Sequence, residues 1–541
     1  MLKLVIVVAA CAGWAGAQDL VLQMDEYIGS QVRARKFMGS VLVAREGNIL
    51  LKKGYGMANL EHELPNRPET KFRLGSITKQ FVAAGILQLE ENGKLSVNDS
   101  VCRHIPDCPP AWKPVTIHHL LSHTSGITNF TNFADYAKTW MLPSRPEQTM
   151  SRFRDKPLEF EPGQKWSYSN SGYILLGYLL EKVSGQKYED YLRKNIFDKS
   201  GMVDSGHDTH EEILKNRATG YSRRREDQWI NSAYHDMSIP IGGGDLYSTV
   251  EDLYKWDQAL TTDKVLTKAS IAKLFTPVKN GYGYGWAVDK QYGRARQAHG
   301  GGINGFATYL ARFPEQRVMV AVLGNMDFAN SAEIASELVR IVFGEKLIRP
   351  EDRKVIPIDV SKLGDYAGQY ELMPGVNAVI SVEDGKLFAL LPGALRAEVF
   401  PEAADRFFFK TTDRVLSFPR DAQGKVMAMV THRAGTEQEL RKITSDVPET
   451  PSAVTVPAED LAGLTGEYEL AAGFSIVVTS ENGKLFAQAT GQQRFALSAE
   501  SRDKFFFLAA GVRIEFRRGP DGQADQLTLH QMGRQLTMKR K

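Results

Sequence analysis

The sequence predicts an α/β or α+β domain followed by two small antiparallel β modules. Three observations carry that reading. Helical and strand-like periodicities alternate from about Gln18 to Glu345. A set of short motifs then recurs at a constant offset of 98 residues, which marks a duplicated unit. The chain has 541 residues, more than one hydrophobic core organises and enough for about three or four domains.

The first segment, MLKLVIVVAACAGWAGAQDL, combines one Lys, a short apolar run and a small-residue site at Ala15-Gly16-Ala17. It reads as an export leader over residues 1–17, cleaved before Gln18, and the run is too short to anchor the chain in a bilayer. VAAC is a competing processing site with Cys11 lipidated. The run ahead of it is very short for that, so a periplasmic or secreted protein without a transmembrane anchor is expected. After cleavage only Cys102 and Cys108 remain, in VCRHIPDCPP. An oxidising compartment and the short spacing permit a disulfide, and two free thiols fit equally well.

Residues 18–345 form the large domain, in which SVLVAREGNILLKKGYG reads as two strands around a Gly turn. Lys plus Arg exceeds Asp plus Glu by only three. The most basic stretch, SRRREDQ (residues 222–228), is partly neutralised by its own acids and reads as a solvated loop, so no nucleic-acid partner is expected. GEKLIRPEDRKVIPIDV loses periodicity and gives a linker over residues 346–362.

Beyond it AGQYEL (from Ala367) recurs as TGEYEL (from Thr465), DGKLFA (from Asp384) as NGKLFA (from Asn482), and RFFF (from Arg406) as KFFF (from Lys504). His432 and His530 keep the same offset. These pairs define one β-rich repeat over residues 363–444 and a second over 461–541, joined by a Pro-rich linker over 445–460. Asp-Gly and Asn-Gly turns between short β-rich runs predict a small antiparallel sheet or barrel in each. The Phe runs read as core strands and not as a carbohydrate platform.

The chemistry starts at GSITKQFVAAGILQLEENGKL, where Ser76 and Lys79 form a Ser-x-x-Lys pair. The pattern alone decides nothing, because Ser184/Lys187, Ser270/Lys273 and Ser501/Lys504 repeat it. Setting separates them. The residues after Ser76 are apolar almost all round, which describes a helix buried in the domain, ended by Gly93. Residues three apart share a helix face, so the amine lies beside the hydroxyl. Gly75 allows a sharp entry and puts Ser76 at a helix N-terminus, where amides stabilise developing negative charge. Burial disfavours the charged form of the lysine, as a base near neutral pH requires. Ser184, by contrast, precedes Gly185 at a helix end, Ser270 opens an ordinary amphipathic stretch, and Ser501 lies in a turn before a strand.

Two more motifs follow. EFEPGQKWSYSNSGYILLGYLLE holds Tyr168-Ser169-Asn170 ahead of another apolar helix, and QAHGGGINGFATYLARF holds His299-Gly300-Gly301 entering a strand. With LLSHTSGI and GGGDLYSTVEDLYKW beside them, residues from roughly 25 to 345 resemble the penicillin-recognising serine hydrolases. Within these the chain resembles the class C β-lactamase branch, which includes D-alanyl-D-alanine carboxypeptidases, D-aminopeptidases and esterases.

The resemblance implies an α+β fold with an antiparallel sheet flanked by helices plus a helical subdomain. It also implies a serine hydrolase that needs no cofactor and acts on a small-molecule or peptide substrate. Ser76 becomes the acylated nucleophile and Lys79 its neighbouring base. Tyr168, as phenolate or in proton exchange with Lys79, serves as base in acylation and acid toward the leaving group. Asn170 holds Lys79 and the substrate amide, and the backbone N–H groups of Ser76 and Gly302 form the oxyanion hole. Gly301 lets substrate approach the strand closely.

Where β-lactamases of this branch carry Lys-Thr-Gly, this chain has His299-Gly300-Gly301. A partly charged imidazole replaces the fixed ammonium at a substrate-binding position, so an amide or ester substrate is expected ahead of efficient β-lactam hydrolysis. A covalent penicillin-binding or sensor protein with slow deacylation is the alternative. His118, His119 and His123 in TIHHLLSHTSG have helical spacing that can bind zinc, but no acidic or Cys partner accompanies them, and no metal is expected.

Overall fold

The chain divides into two compact units, Met1–Glu345 and Lys346–Lys541. The computed structural model describes residues 2–133, 135–225, 228–373, 376–392, 394–449, 451–471, 474–490, 494–531 and 534–541. Helix α1 spans Leu2–Arg33. The leader reading and Cys11 rest on residues 1–17, whose side chains lie outside the described residues. Among the described residues no helix is long and apolar enough to cross a membrane.

After α1 come strands β1 (Gly39–Arg45) and β2 (Asn48–Tyr55), helix α2 (Thr78–Glu91) and helix α3 (Asn170–Ser184). Strands β3 (Ala287–Gln291), β4 (Arg294–Ile303), β5 (Phe306–Phe313) and β6 (Val318–Gly324) follow, and α4 (Ser331–Phe343) ends the unit. The sheet is antiparallel throughout, in the order β3-β4-β5-β6-β1-β2.

Alternation along the central strands sends side chains to two cores. Val41, Val43, Val320 and Val322 face one core, packed with Met24 and Ile28 of α1 and Ile334 and Leu338 of α4. Leu42, Ala44, Ala321 and Leu323 face the other, with Phe81 and Ile86 of α2 and Leu175 and Leu179 of α3. Both faces are therefore covered, and β1 and β6 read as near-continuous apolar runs. Helix α2 lies inside this second core, and every residue from Thr78 to Leu89 is buried. It ends where Gly93 turns the chain at φ +65°, a conformation that glycine adopts without steric penalty.

Two expectations are resolved here. Cys102 and Cys108 are joined in a disulfide. SRRREDQ, read as a solvated loop, instead contributes to a two-stranded hairpin of Tyr221–Arg225 and Gln228–Asn231. Residues 226 and 227 lie outside the described residues. The charge run hid the strand, because both strands are largely exposed and carry polar side chains on most positions.

The second unit contains two eight-stranded antiparallel barrels. One runs from Gly368–Met373 to Thr436–Thr444 and closes by pairing its first and last strands. The other runs from Gly466–Ala471 to Arg534–Arg540 and closes the same way. The duplicated sequence makes duplicated structure. Asp384-Gly385 and Asn482-Gly483 both adopt positive φ at both positions, the turn that matches strand twist. Phe407, Phe408, Phe505 and Phe506 are buried.

Tyr370 and Tyr468 are wholly buried, and each hydroxyl donates to a carbonyl four residues earlier, Tyr366 O at 2.6 Å and Leu464 O at 2.8 Å. Tyr468→Phe strips that buried carbonyl of its donor. Equilibrium urea unfolding of the full chain should show the second barrel weakened by about 1–3 kcal/mol, and an unchanged midpoint would contradict this role.

Candidate active site

The backbone before Ser76 is fixed from three sides. Leu74 N–H donates to Leu246 O at 2.8 Å, Leu246 N–H donates to Thr78 Oγ1 at 3.2 Å, and Thr308 Oγ1 donates to Leu74 O at 2.7 Å. Gly75 then turns at φ +55° into a single 3-10 turn, Gly75–Ile77, that leads into α2. A Cβ on Gly75 would lie 2.7 Å from the nitrogen of Gly302. The turn bearing Ser76 and the strand bearing Gly302 therefore touch backbone to backbone.

Lys79 is fully buried, and its Nζ has three partners: Ser76 Oγ at 3.1 Å, Asn170 Oδ1 at 2.9 Å and Gly243 O at 2.7 Å. Two of these are carbonyl oxygens that can only accept. The third is a hydroxyl that can donate. A neutral amine would therefore keep two N–H bonds on the carbonyls and turn its lone pair to the Ser76 hydroxyl. Burial pushes the Lys79 ammonium down to about 7, against an opposing pull from Asp245.

Asn170, at the start of α3, is oriented for this by Asn129 Oδ1, which accepts from its backbone N–H at 3.0 Å, and by Thr131 Oγ1, which accepts from its side-chain amide at 3.2 Å. Asp245 is buried and grips the glycine segment that supplies Gly243 O, accepting from Gly242 N–H at 2.7 Å.

Tyr168 Oη donates to Ser76 Oγ at 2.8 Å. Burial raises its phenol well above the ordinary tyrosine range, with the Ser76 hydrogen bond working the other way. Of the two states expected from the sequence, phenolate or proton exchange with Lys79, desolvation disfavours the standing phenolate and leaves the exchange.

His299 also differs from its expectation. Its Nδ1 lies 2.6 Å from Gly300 O, which can only accept, so Nδ1 carries the proton and Nε2 accepts from Tyr282 Oη at 2.8 Å. Burial, with the charge of Lys79, holds the ring at about 4. It is a neutral imidazole with both nitrogens engaged by protein, where the sequence suggested a partly charged ring. Gly301 is required by packing as well: a Cβ there would sit 1.9 Å from Leu74 O. Gly302 has open space where its side chain would be.

His118, His119 and His123 diverge. His118 Nδ1 meets Tyr284 Oη at 2.6 Å, and His119 caps its own short helix through Thr116. His123 brackets Tyr168: its Nδ1 accepts from Ser169 N–H at 3.2 Å, its carbonyl accepts from Ser167 N–H at 2.9 Å, and its ring centroid lies 4.3 Å from the Tyr168 ring. Sequence reasoning missed this role, along with Gly243 and Asp245. LLSHTSGI and GGGDLY were visible as strings, but nothing in them says which distant atom each serves.

Ser76, Asn170 and Gly302 open onto a cavity of about 240 Å³ that is also lined by Phe130, Tyr136, Ile174 and His235.

A serine–lysine–tyrosine cluster around a buried amine, at the junction of a helical core and an antiparallel sheet, defines a serine hydrolase of the penicillin-binding type. Residues 25–342 match the Beta-lactamase family, and the chain belongs to it. Both barrels match a domain of unknown function (DUF3471), over residues 352–444 and 450–540.

Penicillin-binding protein 4* of Bacillus subtilis (strain 168) is 31% identical over 429 residues, covering 75% of this chain and 94% of that one. The octameric penicillin-binding protein homologue from Pyrococcus abyssi is 28% identical with a TM-score of 0.57, covering 78% of this chain and 98% of that one. The D-amino acid amidase from Ochrobactrum anthropi SV3 shares the fold at 23% identity and a TM-score of 0.54, covering 60% of this chain and 99% of that one.

Gly75→Ala tests the backbone contact. Strain at positive φ and the clash with Gly302 should lower kcat on an activated ester by ~10²–10³-fold with little change in KM. A change confined to KM would show that the contact serves binding alone.

Proposed function

We propose that this protein is a secreted hydrolase that cleaves an amide or ester bond through an acyl-enzyme on Ser76, of peptidase or esterase type. The observation that carries the reading is Lys79, a buried amine near its neutral form with a hydrogen bond to the Ser76 hydroxyl. Neutral Lys79 takes the Ser76 proton as Oγ attacks the substrate carbonyl carbon. The oxyanion forms against the N–H groups of Ser76 and Gly302. Tyr168 gives its proton to the leaving amine or alkoxide, and the Lys79 ammonium returns one to Tyr168. The serine proton thus ends on the leaving group. Water then attacks the ester on Ser76 by the same route in reverse and releases the acid.

In this scheme His299 and His123 are positioning groups. Neutral imidazoles beside Lys79 add no charge, and a protonated one would push the amine further toward its neutral form. Export rests on the leader reading of residues 1–17.

Acylation by a fluorophosphonate, followed by intact-mass measurement across pH, tests the scheme. Protonated Lys79 cannot accept the serine proton, so the rate should rise with pH through about 7 and level off above it. Ser76→Ala should take up no probe at any pH. An adduct on that variant, or a rate independent of pH between 5 and 9, would exclude Ser76 or Lys79 from these roles.

A further inference from the structure

The cavity beside Ser76 carries a charge signature that bears on the substrate. Its walls are Phe130, Tyr136, Ile174, Pro240 and Ile303, and its polar positions are Thr131, Asn170, His235 and Asn304. At about 240 Å³ it is smaller than most whole-ligand pockets, so it takes one substituent of the substrate and not all of it.

None of the described residues lining it is an Asp, Glu, Lys or Arg. His235 and the Tyr136 phenol are the titratable rings among the described residues of the wall. His235 Nδ1 lies 3.4 Å from Asn304 Oδ1, Asn304 Nδ2 donates to Ala233 O at 3.1 Å, and the imidazole stacks on Trp140 at 5.6 Å. Burial lowers the imidazole to about 4, so it stays neutral at physiological pH. The charged groups behind this wall are already paired: Arg73 with Asp208 at 2.6 Å, and Asp236 with Ser238 and Tyr234. The Lys79 amine is held by its three partners.

The cavity also runs inward. Phe130 is fully buried, and Ile174 lies in α3 within the helical core. A leaving group must depart to solvent, whereas an acyl group stays attached to Ser76. The inward cavity suits the acyl side.

We propose that this cavity is an acyl-group site selective for uncharged aromatic or branched aliphatic acyl chains. It would discriminate against substrates that bring a carboxylate or a free α-ammonium next to the scissile carbonyl. A charge entering it would shed water against a lining that, among the described residues, carries no charged side chain. The inference rests on the Ser76 acyl-enzyme reading and narrows it to neutral esters and amides.

The test uses the full-length protein and three p-nitrophenyl esters of one skeleton: 3-phenylpropanoyl, D-phenylalanyl with its free ammonium, and benzylmalonyl with its free carboxylate. The neutral ester should show kcat/KM at least ~100-fold above both charged ones after correction for spontaneous hydrolysis. Equal or faster turnover of either charged ester would overturn the inference. So would inertness of the neutral ester while fluorophosphonate still labels Ser76.

Loss of labelling itself would instead count against the acyl-enzyme reading. Ile303→Glu places a carboxylate at the half-buried lip of the cavity without removing a hydrogen bond. It should improve the ammonium ester relative to the neutral one by ~10-fold. An unchanged ratio in a variant that still labels would overturn the proposal, and Asn304→Asp repeats the measurement if Ile303→Glu does not label.

Discussion

The amine of Lys79 lies where no water solvates it, and the rest of the active-site region is arranged around that fact. A lysine in such a place must find partners or lose its proton. It does something between the two: Asn170 and Gly243 offer carbonyl oxygens that either form of the amine can use, and Ser76 offers a hydroxyl that either form can engage. No carboxylate touches it, and Asp245 acts only from a distance, through Gly242 and the loop it holds. A direct salt bridge would have kept the proton on the amine. This burial also links folding to pH. Between the lowered value near 7 and the ordinary lysine value, the unfolded chain holds a proton that the folded chain has released, so the penalty that this group places on folding shrinks as pH rises through that window.

The second constraint is a close approach of bare backbone. Gly75, Gly301 and Gly302 let a turn and a strand meet at distances that a methyl group would forbid at the first two positions. Thr308 Oγ1 pins the carbonyl of Leu74 from the neighbouring strand. The Gly302 amide, which the proposed scheme sets against the reacting carbonyl, is therefore placed by sheet register, Gly301 opposite Thr308 and Gly302 opposite Ala307, and not by a loop that would have to be ordered on binding. Preorganised donors of this kind cost no reorganisation when charge develops.

Much of this was legible in the sequence, for reasons that differ by feature. The buried helix after Ser76 announces itself by an apolar surface too wide for an amphipathic helix, and Gly75 and Gly93 mark its ends. The barrels announce themselves by repetition, down to the Asp-Gly and Asn-Gly turns. What stayed hidden depends on contacts between distant segments. The neutral state of His299 follows from Tyr282 and from the carbonyl of Gly300, and the raised phenol of Tyr168 from desolvation where three distant segments meet. Neither can be inferred from the triplets in which those residues stand. The hairpin in SRRREDQ escaped because charge density suggests a loop while saying nothing about backbone pairing.

The nucleophile is assembled from stretches that are far apart along the chain: the turn at Ser76, the helix start at Asn170, the glycine segment at Gly243 and the strand at Gly302. Before these meet, Ser76 is an ordinary alcohol with an ordinary, fully protonated lysine nearby. In the proposed scheme Ser76 is thus activated only once the tertiary structure is complete. Reactivity at Ser76 is in this sense a property of the finished fold, and it vanishes and returns with that fold.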